Sequence, residues 1–317
     1  MQPRGLTAAL PETSARTVTH RRLVSGPNSS RRWVIGYLFI LPTLVFVGVF
    51  SYYPAVKAMQ GAFSNWNGFN PPVFVGLGNF VQMFQDPVFI ASLWHVLIWT
   101  VVGIPLSLIP PFLVAEMIFH LGKARSQYVF RTMFIIPMVL PGFVGLLIWL
   151  FIYQPTGLLN QFLGAVGLGF LRHQWLADPH TALGALIGMG FPWIGAFQLL
   201  VLYAGLQAIP MEILDAAAVD GVGTWSRIRA IDIPMIRGQW KLLFILAIVS
   251  VPQNLIAPLI LTDGGPGTAT VTPVFYMYQT AIGYGLYGYG MAIAFLLFLA
   301  MMLLAIVNMK YIQSQPD

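Results

Sequence analysis

Six long apolar stretches separated by polar segments set the pattern of the chain. They lie at residues 33–53, 88–112, 132–153, 182–206, 240–262 and 288–309. Each is close to the ~20 residues that an α-helix needs to cross a hydrocarbon core of ~30 Å. Inside lipid the backbone must satisfy its own hydrogen bonds, so we expect six transmembrane helices, the second of which can extend to about residue 119. The predicted fold class is an all-α integral membrane protein.

The composition agrees with a lipid environment. Hydrophobic residues make up 57% of the 317 positions and charged residues only 8%, against roughly 25% charged residues in a soluble domain. The mean hydropathy is +0.76. The absence of cysteine excludes disulfides, thiolate metal sites and cysteine nucleophiles. Since the spans also offer few ionisable groups, no catalytic or metal-binding constellation is predicted, and an intramembrane enzyme is disfavoured.

The positions of the basic residues predict the orientation of the chain. Lys and Arg favour the cytoplasmic ends of spans. With the N-terminus inside, 14 of the 16 Lys and Arg residues fall in cytoplasmic segments, and only Lys57 and Arg172 fall outside. We therefore expect both termini in the cytoplasm. The net charge of +6 is then a topology signal, which argues against a nucleic-acid partner.

The polar segments divide the chain into regions. Residues 1–32 are rich in Ser, Thr and Arg and lack apolar periodicity, so we expect a disordered cytoplasmic tail. Residues 33–312 hold the six spans, and residues 313–317 form a cytoplasmic C-terminal end. Within the membrane domain, residues 207–239 form a cytoplasmic loop that is too long for a plain turn.

This loop has the pattern of two short amphipathic helices joined at glycines. Pro210 suits the first turn of a helix, and Gly221 is expected to end it. Trp225 lies at the start of a second short helix, which Pro234 separates from the next span. Because small side chains share one face between charged residues, the loop suits docking into a groove on a soluble partner.

The loop resembles the cytoplasmic signature of permease subunits in binding-protein-dependent ABC importers. That signature is an acidic residue, two alanines, three residues, a glycine, nine residues and then Ile-x-Leu-Pro. The residues that match it without a gap are Asp215, Ala216, Ala217, Gly221, Ile231 and Pro234. Asp215 stands where Glu is usual, and Ile233 stands where Leu is usual. The resemblance covers roughly residues 33–312.

The resemblance implies a type I ABC importer permease fold and a coupling helix that docks on a separate ATPase. The coupling-loop residues are Asp215, Ala216, Ala217, Asp220, Gly221, Trp225, Arg229, Ile231 and Pro234. It also implies a second permease subunit, two ATPase subunits, an extracytoplasmic solute-binding protein and a bacterial inner membrane. The chain carries no Gly-x-x-x-x-Gly-Lys-Ser/Thr pattern. We therefore expect no cofactor on this chain, with ATP-Mg bound by the partner ATPases.

A second segment narrows the resemblance to one branch of this family. Gly264-Gly265-Pro266 directly follows the fifth span. It resembles the Gly-Gly-Pro segment found there in the carbohydrate-uptake, maltose-type permeases. Taken alone, the same three residues are also consistent with an ordinary turn. The branch implies a sugar or oligosaccharide as the substrate.

Polar groups inside the spans are the candidates for the substrate path, because such groups are costly in hydrocarbon. In the fifth span these are Ser250, Gln253 and Asn254, close to the helix-breaking Pro252 and Pro258. In the fourth span the candidates are Trp193, Gln198 and Tyr203. Amides can hydrogen-bond the hydroxyls of a sugar, and aromatic rings can stack on its apolar face. The alternative is that these side chains only join neighbouring helices.

Two alternatives for the function remain open at this point. A permease of the same class could carry another solute, such as a glycerol phosphate ester or an acidic oligosaccharide. An ion-coupled secondary transporter would need paired ionisable groups near the midplane. His95 is the one histidine well inside a predicted span, Glu116 lies at the end of the second span, and no second acidic group is found inside a span. This pattern favours a histidine satisfied by a neighbouring group over a proton pathway.

Overall fold

The computed structural model describes residues 29–311. The predicted tail (1–32) and the C-terminal end (313–317) therefore lie almost wholly outside the described residues. The chain divides into two compact units, with the boundary between Ala55 and Val56.

The first predicted span is a continuous helical segment that begins earlier and ends later than expected. It comprises α1 (Ser29–Val47), a π-helical turn (Gly48–Tyr52) and α2 (Tyr53–Gly61). Residues 36–61 are long and apolar enough to cross a membrane. The segment passes Pro42 without a break.

A short segment with two strands and one helix precedes the second span. Strands β1 (Ser64–Asn65) and β2 (Val73–Phe74) pair in an antiparallel register, and α3 (Gly78–Gln85) follows. Helix α4 (Pro87–Phe119) then runs for 33 residues, straight through Pro105, Pro110 and Pro111. The longer version of the second span, which ends near residue 119, is therefore confirmed.

The third predicted span is sharply bent. Helix α5 (Ala124–Ile135) continues into a 3-10 turn (Ile136–Val139), and α6 (Gly142–Ile152) leaves at an angle of 92°. The bend lies at Leu140, which is extended because the ring of Pro141 disfavours the helical conformation of the residue before it.

A loop with its own buried centre follows α6. It contains α7 (Leu158–Ala165) and a 3-10 turn (Gly169–Leu171). The buried Asn160 amide donates to the carbonyls of Pro155 and His173 at 3.0 and 2.8 Å. Its oxygen accepts from the His173 backbone N–H and the Trp175 indole at 3.2 and 2.9 Å. One side chain thus satisfies four hydrogen bonds and orders the loop.

The fourth predicted span, 182–206, is two helices rather than one. Helix α8 (Ala182–Gly188) and α9 (Ala196–Gln207) are separated by an irregular segment. Gly190 has φ +90° and Trp193 has φ +56°, values that no right-handed helix contains. Hydropathy averaged along the stretch conceals this break, because the residues that form it are themselves apolar.

The remaining elements are the helices of the loop and the last two spans. The loop holds α10 (Met211–Val219), α11 (Thr224–Arg227), a π-helical turn (Ile228–Asp232) and α12 (Ile233–Met235). The fifth span comprises α13 (Arg237–Ser250), a 3-10 turn (Val251–Gln253) and α14 (Ile256–Leu261). Helix α15 (Pro273–Tyr278), a π-helical turn (Gln279–Gly283) and α16 (Tyr287–Tyr311) complete the chain.

Four helical segments in the described part of the chain are long and apolar enough to cross a membrane. They are Gly36–Gly61, Pro87–Phe119, Arg237–Leu261 and Tyr287–Val307. The bent pair α5–α6 qualifies as one more, and α9 together with α10, bent by 72°, as another. Six spans are therefore reached only if bent pairs are included.

Three buried clusters hold the second unit together. The largest joins α4, α9 and α13 through Leu108, Leu202 and Leu243, and extends into the loop at Ile209 and Ile236. A second surrounds Phe89 and Phe275 at the other end of α4. The third joins Trp99, Leu186 and Leu261. Helix α4 contributes to all three clusters and is the central element of the unit.

Candidate functional site

A cavity of about 460 Å³ lies where three spans meet. Its walls come from the middle of α4, the break between α8 and α9, and the break in the fifth span. Four of the six predicted substrate-path residues line it: Trp193, Gln198, Ser250 and Asn254. The two helix breaks therefore bring together side chains that are up to 61 positions apart in the sequence.

Trp193 has a strained backbone at the cavity wall. Its φ of +56° is unfavourable for a bulky residue, and such strain persists only where the surroundings impose it. Its backbone N–H donates to the Gly190 carbonyl at 2.6 Å, and its indole N–H donates to the Ile187 carbonyl at 3.3 Å. One hydrogen bond therefore holds the backbone of Trp193, and another holds its ring.

The polar side chains of the cavity retain hydrogen-bonding capacity. Asn254 accepts from the Ala257 N–H at 3.2 Å through its oxygen. Within residues 29–311, its amide nitrogen, the Gln198 amide and the Ser250 hydroxyl have no hydrogen-bond partner of their own. None of the lining residues carries a charge. Such a cavity suits an uncharged, hydroxyl-bearing ligand.

The other two candidates lie elsewhere. Gln253 borders a different cavity, with Met277 and Phe298. Tyr203 is only 3% exposed and is packed in the largest buried cluster. Its hydroxyl donates to Gln127 at 3.1 Å and accepts from Gln207 at 3.0 Å. The structure thus places Tyr203 where it joins α5 to α9, apart from the cavity.

Four residues of α4 that were not among the predicted candidates also line the cavity. They are Trp99, Gly103, Leu106 and Ser107. A Cβ at Gly103 would stand 3.1 Å from Val251 and 3.2 Å from Trp99, so glycine permits the close approach of α4 to the fifth span. Ser107, a polar residue in a predicted span, was a signal that could have been followed.

The segment after the fifth span is a tight turn. Asp263, Gly264 and Gly267 have positive φ values of +49°, +80° and +60°. A Cβ on Gly264 would collide with the ring of Phe275 at 2.5 Å, so glycine is required there. The Thr270 hydroxyl closes the turn by donating to the Gly265 carbonyl at 2.9 Å.

The loop between the fourth and fifth spans begins with an exposed helix, α10. It ends in a Schellman motif: the Gly221 N–H donates to Ala218 at 3.2 Å, and the Val222 N–H donates to Ala217 at 3.0 Å. Gly221 has φ +67°. The predicted helix and its glycine stop are therefore present. Ala217 faces inward and is buried, whereas Asp215, Ala216 and Asp220 are exposed.

Large apolar side chains stand out from this loop. Val219 is 88% exposed and Trp225 is 76% exposed, with Met211 and Val222 also exposed. Arg229 and Pro234 are exposed as well, and Ile231 is half-buried. Apolar patches of this kind in a short loop are typical of protein contact surfaces. The helical segment that begins at Thr224 ends at Met235, one residue beyond Pro234, where a break was predicted.

Asp86 joins the start of α4 to the sixth span. Its carboxylate accepts from the Val88 and Phe89 N–H groups and from the hydroxyls of Tyr276 and Tyr289, the latter at 2.5 and 2.8 Å. Burial acts to raise the pKa of Asp86, but these hydrogen bonds outweigh it and hold the pKa below its ordinary value.

Broken spans around a polar cavity, together with an exposed amphipathic loop between the fourth and fifth spans, are typical of a polytopic transport subunit. Residues 114–314 match the family of binding-protein-dependent transport system inner membrane components. The chain belongs to this family, and it is an inner membrane protein.

Individual relatives agree with this assignment. The chain is 32% identical over 287 residues to a probable ABC transporter permease protein, YurN, of Bacillus subtilis, with 90% of this chain and 98% of YurN covered. It is 29% identical over 249 residues to the lactose transport system permease protein LacF of Rhizobium radiobacter, covering 78% and 83%.

A solved structure shares the fold. It is a bacterial ABC transporter involved in the import of the acidic polysaccharide alginate. The TM-score is 0.77 at 22% identity, over 88% of this chain and 94% of that one. The predicted fold class, a type I ABC importer permease, is therefore confirmed.

His95, considered above as a sign of ion coupling, contacts the Val271 carbonyl at 2.8 Å through Nδ1.

Proposed function

We propose that this chain forms half of the pore of an ATP-driven importer for uncharged sugars or oligosaccharides. The observation that carries the proposal is the cavity, in which two amides, two hydroxyls and the Trp193 ring surround an uncharged space between broken spans. Hydroxyl-rich ligands need donors and acceptors of this kind, together with a flat apolar surface. The lactose permease and the Gly-Gly-Pro turn support a carbohydrate substrate.

The exposed loop is the proposed site of coupling to ATP hydrolysis. Its helix α10, its Schellman turn and its exposed Trp225 form a surface that suits a groove on an ATPase subunit. This assignment places the loop and both termini in the cytoplasm, consistent with the distribution of Lys and Arg. The proposed assembly contains a second permease subunit, two ATPase subunits that bind ATP-Mg, and an extracytoplasmic solute-binding protein. No cofactor is proposed for this chain.

The absence of charged side chains from the cavity separates two classes of substrate. An acidic oligosaccharide or a phosphate ester would need a basic group nearby, and none of the residues lining the cavity in this chain is basic. The structural relative's substrate is acidic, so the proposal predicts a difference in selectivity between two proteins of the same fold. Neutral sugars are the substrates expected here.

The test is transport by the complete importer in proteoliposomes. Uptake of a neutral disaccharide, lactose, is compared with that of an unsaturated uronate trisaccharide, with and without ATP. We expect ATP-dependent uptake of the neutral sugar to be at least tenfold faster. Equal uptake of both sugars, or uptake without ATP, would contradict the proposal.

Two neighbouring amides provide a matched pair for locating the path. Asn254 lines the cavity and Gln253 does not. Loss of one hydrogen bond to an uncharged ligand costs about 0.5–1.5 kcal/mol, or roughly a 2- to 12-fold loss of affinity. Asn254→Ala should therefore raise the sugar concentration for half-maximal uptake, whereas Gln253→Ala should leave it unchanged. The reverse order would move the path to the other side of the fifth span.

A further inference from the structure

A buried cluster of charged residues joins the exposed loop to the end of α4. Asp232, in the second half of the loop, is 0% exposed. The Arg227 Nε donates to its Oδ2 at 3.1 Å, while Oδ1 has no hydrogen-bond partner among the described residues. Because a buried carboxylate without a cation is costly, Asp232 fixes the position of the Arg227 guanidinium.

The same guanidinium reaches across to α4. Its Nη2 lies 2.7 Å from Nε2 of His120, the residue that caps the helix. A guanidinium only donates, so His120 Nε2 must accept, and the ring proton is on Nδ1. That Nδ1–H donates to the Glu116 carbonyl at 2.8 Å. The guanidinium carbon also lies 5.7 Å from the centre of the Phe119 ring. Arg227 therefore holds two residues that are more than 100 positions earlier in the chain.

A second buried carboxylate completes the cluster. Glu116, one turn before the end of α4, is 4% exposed, and within residues 29–311 neither of its oxygens has a hydrogen-bond donor. His120 Nδ1 lies 3.6 Å from its Oε2, too far for a hydrogen bond. Among the described residues, Asp232 is thus the carboxylate that pairs with Arg227, and Glu116 lies at the edge of the cluster without a hydrogen-bond donor.

Apolar contacts also hold the loop against α4, but they do not fix its direction or register. Leu214 and Ile228 pack against the largest buried cluster, which includes Ile118 at the end of α4. Apolar packing is non-directional, so these contacts allow the loop to shift against α4. The Arg227 fork bonds Asp232 on one side and His120 on the other, which fixes direction and register.

We propose that Arg227 is a positioning residue that ties the docking loop to the end of the second span through His120 and Asp232. Movement of the loop is then carried directly to α4, the helix that lines the cavity at Trp99 and Ser107. This inference rests on the proposed function, in which the loop docks on an ATPase. It adds the route by which that movement reaches the cavity.

The test separates the link from the stability of the fold. The His120 side chain is 30% exposed. His120→Leu removes the acceptor, and the Arg227 guanidinium stays paired with Asp232. His120→Gln keeps an acceptor oxygen near the same place. The complete importer is reconstituted, and lactose imported per ATP hydrolysed is measured for each variant. Arg125→Gln, an exposed arginine of α5 outside the cluster, is the control.

We expect His120→Leu to assemble with the other subunits and to hydrolyse ATP within twofold of wild type, but to import at least fivefold less sugar per ATP. His120→Gln should restore the ratio to within twofold. Arg227→Lys, which keeps the charge but lacks the fork, should behave like His120→Leu, and the double variant should be no worse than either single one. Arg125→Gln should match wild type.

The outcomes that overturn the inference are distinct from those that overturn the proposed function. A wild-type ratio in His120→Leu and Arg227→Lys would refute the link while leaving the importer intact. Equal defects in His120→Leu and His120→Gln, or loss of assembly in both, would show a structural role only. If the wild-type complex imports no sugar with ATP, both the function and the link fail.

Discussion

Gly221 offers the sharpest test of the docking loop, because its backbone rather than its surroundings demands glycine. Its φ is +67°, and nothing lies within 4 Å of the place where a Cβ would stand. In Gly221→Asp the left-handed backbone costs about 1 kcal/mol, since Asp tolerates this region better than most residues. A carboxylate at the C-terminal end of α10 costs a further ~0.3–1 kcal/mol. The sum lowers the equilibrium constant for forming the ordered turn roughly 10- to 30-fold.

Gly223 provides a control that carries the same added charge. It has φ −66°, is equally open, and is the N-cap of α11, a position where Asp is favoured. Gly223→Asp should therefore leave the loop ordered. The assay titrates the detergent-solubilised permease pair with the ATPase subunit and measures the dissociation constant. We expect an increase of more than threefold and of up to about 30-fold for Gly221→Asp, and less than a threefold change for Gly223→Asp.

The dissociation constants of the two variants together show whether the turn belongs to the docking surface. Equal weakening by both would mean that charge alone, and not the conformation of the turn, controls docking. Unchanged affinity in Gly221→Asp would mean that the Schellman turn is not part of the docking surface, and the assignment of the coupling loop would have to be abandoned.

Two further predictions concern the side of the molecule opposite the loop. Because the pKa of Asp86 lies below its ordinary value, its contribution to stability is complete above pH ~4 and is lost as the pH falls through the lower folded-state pKa. The free energy of unfolding of Asp86→Asn should therefore be about 1 kcal/mol lower than that of wild type at pH 7, and this difference should shrink at pH 3. Thermal unfolding in detergent measures it. A difference that stays constant with pH would refute the role of the charge. Asn160→Ala leaves the Trp175 indole and the His173 N–H unpaired, so proteolysis within residues 154–181 should accelerate several-fold, with no change expected for Gln161→Ala, an exposed neighbour.

The sequence predicted the elements well where one physical signal dominates. The second span to residue 119, the glycine stop of α10 and the class of fold all follow from hydropathy, spacing or motif. The breaks were harder. The bend at Leu140 follows from Pro141 once both prolines of the segment are considered, but the break at 189–195 depends on Gly190 and Trp193 adopting positive φ, which no periodicity reveals.

The candidate site was predicted in part, for a related reason. The search for polar residues in the spans selected Gln198, Ser250 and Asn254, which line the cavity, and Ser107 lines it as well. The same signal could not show that Gln253 and Tyr203 lie outside the cavity, because spacing along the sequence does not specify which side of a broken helix a residue occupies. The Arg227–His120 contact joins positions 107 apart. Asp232, an acidic residue among isoleucines, was its one visible sign in the sequence.

The three prolines of α4 have a consequence for how sugars can be held. Proline lacks an N–H, so the carbonyl four positions earlier in a helix loses its usual donor. For Pro110 and Pro111 those carbonyls belong to Leu106 and Ser107, and both residues line the cavity. These two carbonyls belong to residues of the cavity wall and lack their usual donor within the helix, so they are candidate acceptors for a passing hydroxyl. Alanine substitution of the residues that line the cavity would not detect these carbonyls, whereas Pro110→Ala or Pro111→Ala would, because each returns an N–H to the helix.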